Sequence, residues 1–347
     1  MRLGYSLSYW GTAGLSPADH LTLVRDAERL GYHSAWAAET YGTDPASIMA
    51  WLAGQTGRIR LGTAILQMPA RRPVAAAMTA ATIDQLSNGR FRLGLGFSGP
   101  QLVEGWHGLP FARPLAHARD YVAVVRMALE RRPVRYEGPT LTVPLPGSEG
   151  KEMALAVEPV QRPLPIYLAT IGPNAVRLTG ELADGWLPLN VPPSHLAACR
   201  DLLAEGAVAA GRTLDGFDVA PMVMVLVEDD LDVAYDMMRP MLALYLGGMG
   251  SRKHNFHNRL AARLGFEAEA TKMQEAFLDG RQGEAIAAMS DGLVDAMTVC
   301  GPRERVRERL AAYRDAGVTT LIVGVVPPTL AARQAQLRAI AEVAGDL

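Results

Sequence analysis

Arg58-Ile59-Arg60-Leu61-Gly62-Thr63 almost recurs 32 residues later as Arg90-Phe91-Arg92-Leu93-Gly94-Leu95. Each copy follows a helical stretch and enters a short apolar run. A repeat of that length fits one strand–helix unit of a parallel sheet. The second copy runs on as Gly94-Leu95-Gly96-Phe97-Ser98-Gly99-Pro100. Small residues at the carboxyl end of a strand allow close approach to the backbone, so the repeat predicts both a fold and a location for chemistry.

The alternation extends in both directions. Upstream, Leu3–Ser8 and Ser34–Glu39 read as strands. The helix between them starts at Ser16-Pro17-Ala18-Asp19, with proline at its first position, and stops at Gly31. Asp44-Pro45 opens the next helix, Ile59–Gln67 is the third strand, and a helix over Pro73–Leu86 leads to the fourth, Phe91–Phe97. A helix over about Leu115–Leu129 follows. Downstream, Ile166–Thr170, Gly185–Leu189, Asp218–Val227 and Thr320–Val326 supply four more strands, and Leu330–Val343 a closing helix. Eight alternations predict a single (β/α)₈ barrel (a TIM barrel) over residues 1–347. Two stretches break the rhythm. A proline-rich excursion at about 135–163, after strand four, reads as a small hairpin outside the barrel. A helical insertion at about 231–289, after strand seven, is interrupted by Gly247-Gly248-Met249-Gly250.

Composition excludes several classes of function. Net charge is −2 over 347 residues, so no basic field points to nucleic acid or to an acidic membrane surface. No run reaches membrane-spanning length, and the amino terminus turns polar too early for a signal peptide. A cytoplasmic enzyme acting on a small molecule is the expectation. Cys199 and Cys300 form no redox or metal motif, and no His/Cys/carboxylate spacing predicts a metal; His254 and His257 lack a third ligand.

In a barrel of this kind the reacting groups lie at the carboxyl ends of the strands. Trp10 sits near the first such end. Glu39 closes the apolar strand Ala35–Ala38, where a carboxylate is costly unless paired or functional. Thr170-Ile171-Gly172-Pro173-Asn174 joins strand five to a helix, and free amides there suit a phosphate as well as an ordinary helix start. Gly96–Pro100 lacks the spacings of nucleotide loops but can serve as a close-approach loop. Beyond it, Glu104-Gly105-Trp106-His107-Gly108 offers a carboxylate, an indole and an imidazole, a set suited to proton delivery beside an aromatic wall. Arg252 and Lys253, just after the Gly247–Gly250 break, are placed to meet an anionic tail if that break closes over it.

Together these segments resemble the bacterial luciferase-like monooxygenase superfamily, most nearly its branch that uses the deazaflavin coenzyme F420. The resemblance spans nearly the whole chain. It is carried by Leu61–Gln67, Thr79–Arg90, Arg92–Gly108, Ala169–Pro173 with Ala183–Trp186, and Tyr245–Asn258. It implies a non-prolyl cis peptide at Ala64–Ile65, pressed against the middle ring of the cofactor. It implies cofactor contacts at Thr40, at Thr63, Ala64 and Ile65, at Gly96 and Ser98, and at Thr170, Ile171 and Gly172, the last group holding the phosphate. Some deazaflavin dehydrogenases have an Asp-His pair where this chain has Glu39-Thr40, so proton transfer falls to Glu104, His107 or Glu39. Glu104 is favoured because Trp106 could exclude water from it. The activity implied is hydride transfer between the deazaflavin C5 and an activated C=C, C=N or C=O bond of a small organic substrate. An FMN-dependent monooxygenase and a non-catalytic flavin-binding barrel are the alternatives, and a homodimer is expected.

Overall fold

A computed structural model describes residues 1–8 and 14–345. Trp10 lies outside the described residues. The strands are β1 (Arg2–Ser6), β2 (Ser34–Ala37), β3 (Arg60–Thr63), β4 (Leu66–Gln67), β5 (Phe91–Gly96), the outlying pair β6 (Tyr136–Glu137) and β7 (Thr142–Val143), β8 (Ile166–Ala169), β9 (Gly185–Trp186), β10 (Asp218–Val219), β11 (Met222–Val227), β12 (Val299–Gly301) and β13 (Thr320–Gly324). Parallel pairing runs β10-β9-β8-β5-β3-β2-β1-β13-β11-β12.

The ring closes between strands six and seven. Amides of Asp218, Ala220 and Met222 donate to the carbonyls of Asp184, Trp186 and Pro188 at 3.0, 2.9 and 2.8 Å. Strand seven is thus β10 and β11 in one line, interrupted where Pro221 has no N–H to give, although its carbonyl still accepts from Ile322. The predicted (β/α)₈ barrel is present.

The helices are α1 (Pro17–Arg29), α2 (Pro45–Ala53), α3 (Pro73–Leu86), α4 (Pro100–Gly105), α5 (Pro114–Leu129), α6 (Pro173–Leu182), α7 (Pro193–Ala209), α8 (Leu231–Ala243), α9 (Phe256–Ala261), α10 (Glu267–Leu278), α11 (Gln282–Ala287), α12 (Asp291–Met297), α13 (Arg303–Asp315) and α14 (Leu330–Gly345). The read-off starts hold. Ser16 and Asp19 form a reciprocal capping box on α1, and the Asp44 carboxylate caps α2 through the Ser47 amide at 3.0 Å.

Inside the ring, Trp36 lies over Gly62, where an added Cβ would sit 2.2 Å from the indole. Its ring meets Tyr167 edge-on, 5.3 Å between centroids. Below them Asp218 accepts from Arg2 (3.0 Å), the Tyr167 hydroxyl (2.9 Å) and Thr320 (3.2 Å), locking the amino-terminal end of the barrel.

The two irregular stretches depart from expectation in detail. The excursion does contain a hairpin, β6–β7, and it is pinned to α5. Asp120 accepts from the Tyr136 hydroxyl at 2.8 Å and from the Thr140 amide at 2.7 Å. The helical stretch ends in a strand that periodicity missed, β12, which lies beside β11. Three residues, Val299-Cys300-Gly301, are too few to show alternation. The Gly247–Gly250 break is packed rather than loose. Gly247 and Gly248 rest on Phe277, where an added Cβ would come within 2.6 Å of Phe277 Cβ and 2.5 Å of its ring carbon Cε1, respectively. Asn255 and Asn258 donate to the Leu246 carbonyl at 2.8 and 3.2 Å, holding the π-helical turn Leu244–Gly248 in place. Among the described residues, no helix is long and apolar enough to cross a membrane.

Candidate active site

The carboxyl ends of the strands carry an unusual backbone. Ser8 (φ 52°), Thr40 (φ 41°), Ser98 (φ 60°) and Asn190 (φ 54°) all adopt the left-handed region just beyond β1, β2, β5 and β9. Side chains other than glycine rarely do so, and such residues gather at functional sites. Three of the four also hold an unspent polar atom. Thr40 Oγ1, Ser98 Oγ and Asn190 Oδ1 are buried without a hydrogen-bond partner among the described residues, as is Gln67 Oε1. Buried polar atoms are normally paired. A group of unpaired ones around one barrel mouth fits a ligand rich in donors and acceptors. Gln67 and Asn190 were not singled out as contacts from sequence. Their signal is positional, since each lies just past a strand end.

The Ala64–Ile65 peptide is cis. Ile65 is half-buried at the mouth, above the barrel-filling cluster of Trp36, Tyr167, Leu187 and Ile322. The glycines of β5 serve this segment. A Cβ on Gly94 would fall 1.8 Å from the Thr63 carbonyl oxygen, and one on Gly96 would fall 2.9 Å from Ile65 Cδ1. The close approach that Gly94 and Gly96 permit is therefore to the β3 backbone and to Ile65, and Gly96 itself is buried. Thr63 is also not at the surface of the mouth. It is fully buried, and its hydroxyl donates to the Gly94 carbonyl (2.9 Å) and accepts from the Gly94 amide (3.0 Å).

Thr170 has an internal role of the same kind. Its hydroxyl meets Thr179 at 2.8 Å, and Trp186 Nε1 donates to its carbonyl at 2.9 Å and to its hydroxyl at 3.0 Å. These bonds fix the start of α6 relative to β9. Gly172 is the N-cap of α6, Pro173 holds the first helical position, and no side chain caps the helix. Space in front of Gly172 is open, with no heavy atom within 4 Å of where a Cβ would stand. Ile171 and Gly172 are half-exposed. An uncapped amide end with a positive helix pole and clear space before it suits a phosphate.

The three proton-transfer candidates are not brought together. The Glu39 carboxylate is engaged by the Arg71 guanidinium and accepts from the Gln67 amide at 2.6 Å; its side chain is only 12% exposed. Arg71 also pairs with Asp44. Glu39 is thus an ion-paired strand-end residue that ties the loop after β2 to the loop after β4. Glu104 is exposed and accepts from the Phe111 amide at 3.3 Å, and Trp106 is 67% exposed. The aromatic wall expected to keep water from Glu104 is absent, because α4 ends at Gly105 and the indole turns outward. His107 is half-buried, and its Nε2 is buried with no partner among the described residues. Arg252 is also committed elsewhere, to Asp279 at 2.5 Å, so of the expected cation pair Lys253 alone forms no ion pair among the described residues. Among the described residues no group of three or more His, Cys, Asp and Glu could hold a metal ion.

Sequence reasoning missed a cavity of about 310 Å³ beside the mouth. It lies between Met68–Pro73, after β4, and Phe97–His117, after β5, with Leu141 of the excursion as a further wall. Among the described residues, none of 231–289 lines this cavity.

A parallel barrel with unpaired polar atoms and an uncapped helix amino end at one mouth has the form of a ligand-binding barrel. The chain belongs to the luciferase-like monooxygenase family, whose profile matches residues 1–320. Within that family it groups with the F420-dependent oxidoreductases. It is 39% identical, over 93% of its length and 94% of the relative's, to a Mycobacterium tuberculosis protein provisionally named coenzyme F420-dependent oxidoreductase Rv3520c. It is 28% identical, over 87% of each chain, to 5,10-methylenetetrahydromethanopterin reductase of Methanopyrus kandleri. Among solved structures, the coenzyme F420-dependent tetrahydromethanopterin reductase of Methanopyrus kandleri superposes with a TM-score of 0.83. That match covers 98% of this chain and 97% of the other at 24% identity, a likeness of fold.

Proposed function

We propose that this protein is a coenzyme F420-dependent oxidoreductase that transfers a hydride between the deazaflavin and an activated C=C, C=N or C=O bond of a small organic substrate. The observation that carries the reading is the 39% identity held across 93% of the chain to the mycobacterial relative. The mouth supports it, because its unpaired polar atoms suit a ligand with a polar ring edge and a phosphate.

When bound, the deazaflavin supplies the hydride at C5; orientation, water exclusion and proton supply are left to the protein. Ile65, on the floor of the mouth, would support one face of the ring. Thr40, Gln67, Ser98 and Asn190 would bond the ring's heteroatoms and the adjoining chain. The amides at the start of α6, with Gly172 clear of obstruction, would hold the phosphate. Thr63 and Thr170 would act from behind, by fixing the β3–β5 and α6–β9 junctions. Addition of a hydride to a polarised double bond leaves an anion that needs a proton. Of the three candidates, His107 alone has a buried, unused ring nitrogen, so it is the proposed proton carrier. Glu39 would position the Arg71 side chain.

A fluorescence titration tests the reading. Coenzyme F420 is expected to bind with a micromolar or lower dissociation constant and FMN more weakly. FMN binding as tight as or tighter than the deazaflavin would refute it.

A further inference from the structure

The cavity beside the mouth has a chemical character of its own. Its walls are apolar where Met68, Phe97, Phe111 and Leu141 meet it, and no carboxylate lines it among the described residues. Two guanidiniums do. Arg71 is spent on Glu39 and Asp44, whereas the exposed Arg72 forms no ion pair among the described residues. Two long helices also begin at this wall. Arg72 and Pro73 are the N-cap and first residue of α3, and Pro114 opens α5; neither start has a side-chain cap. Both positive poles therefore add to the field of Arg72. His117, in the second turn of α5, faces the same space; burial, opposed by the Asp120 carboxylate and reinforced by Arg72, holds its imidazole below its ordinary pKa. One turn further on, the Tyr121 hydroxyl is buried without a partner among the described residues.

Arg72 is the one lining charge left unpaired among the described residues, the walls are otherwise apolar, and the acids behind the lining, Glu39, Asp44 and Asp120, are held by Arg71, Tyr136 and Thr140. At about 310 Å³ the space is at the small end of the roughly 300–1,000 Å³ typical of small-molecule sites. The geometry points to this recess as the acceptor subsite, taking a substrate with an apolar or aromatic body that carries a carboxylate, paired by Arg72. The same carboxylate chemistry could come from an acidic tail on the cofactor. The apolar walls favour a substrate body over a flexible polar tail. The reading as an acceptor subsite rests on the hydride-transfer proposal above, but the binding it requires does not.

The test uses the full chain without deazaflavin, titrated calorimetrically with 2-naphthoate and with the neutral 2-naphthalenemethanol, and a separate titration with coenzyme F420. The expectation is that naphthoate binds at least about fivefold tighter than the alcohol, the worth of one partly exposed charge pair. Arg72→Gln removes that preference, and Arg72→Lys retains most of it. Leu141→Trp, which fills the recess, weakens both probes; Phe111→Trp replaces it if that variant does not fold. All of these variants keep their F420 affinity within about twofold. Equal binding of the two probes, a preference that survives Arg72→Gln, or probe binding untouched by the filling variant would each overturn the subsite. A loss of F420 affinity in Arg72→Gln with probe binding intact would give the arginine to the cofactor tail instead. Weak F420 binding with the probe results as expected would refute the cofactor reading and leave the subsite standing.

Discussion

Replacing Arg71 by methionine asks whether Glu39 is chemistry or scaffold. Arg71 joins two carboxylates. Glu39 has a side chain 12% exposed and Asp44 one 43% exposed, and the arginine itself is 21% exposed. Removing one member of a buried pair costs about 3–5 kcal/mol, because the other charge is left uncompensated. Here Glu39 keeps the Gln67 amide at 2.6 Å, and part of the arginine meets solvent, so about 2–3 kcal/mol is the reasoned figure. Unfolding entropy near 2.1 cal/mol/K per residue gives about 0.7 kcal/mol/K for 347 residues, so the melting temperature should fall by about 3–4 °C. Glu39→Gln should cost less, about 1 kcal/mol, since the amide oxygen still accepts from Gln67 and Arg71 keeps Asp44. The double variant has neither charge and should be more stable than the sum of the two losses, by about 1 kcal/mol or more of coupling. Calorimetry on the four proteins, with turnover measured in parallel, reads this directly. Additive losses, or an Arg71→Met protein that melts within a degree of the parent, would refute the ion-pair argument. So would a Glu39→Gln protein with unchanged melting whose turnover drops by about 10²–10⁴-fold, the signature of a lost acid or base.

Four other outcomes are expected. Gly172→Asp sets a carboxylate at the open amide end of α6 and should cut F420 affinity at least about tenfold, or about 1.4 kcal/mol, in a fluorescence titration of the folded variant; unchanged affinity would move the phosphate elsewhere. Gly94→Ala drives a methyl group to 1.8 Å from the Thr63 carbonyl oxygen, so the barrel must open between β3 and β5; a melting temperature within a degree of the parent would contradict that packing. His107→Gln should lower turnover by about 10²–10⁴-fold with cofactor affinity little changed, and near-normal turnover across pH would return the proton to Glu104 or to solvent. His257 is pushed down to about 4 by burial, against an ordinary value of 6.5, so the unfolded chain binds the extra proton first as pH falls. Its contribution is present above pH 6.5 and is lost between 6.5 and about 4; melting temperature should drop over that window, and His257→Phe should reduce the drop without abolishing it, because burial also pushes His20 and His33 down to about 4.

The order of elements was legible in the sequence because each is a local matter. The Ser16/Asp19 box, the Asp44 cap, the prolines at helix starts and the period of the apolar runs act within a few residues. The number of alternations then leaves few topologies open, and the barrel follows. The residues at the strand ends were also named correctly as positions, since a parallel barrel sends every strand's carboxyl end to one face. Their roles were not legible. Thr63, Thr170 and Gly96 read as ligand contacts, yet the structure uses them between strands, because a hydroxyl or a missing side chain serves a neighbouring backbone as well as a ligand. Glu39 gained its meaning only when Arg71, 32 residues away, was brought onto it. Trp106 and the carboxylate it was expected to shield are both exposed, because the helix ends at Gly105, just before the indole. The cavity with Arg72 and His117 has no linear motif at all. It is made by three segments and two helix poles that meet only when the ring closes, and a field summed from separate parts of a chain exists only in the folded molecule.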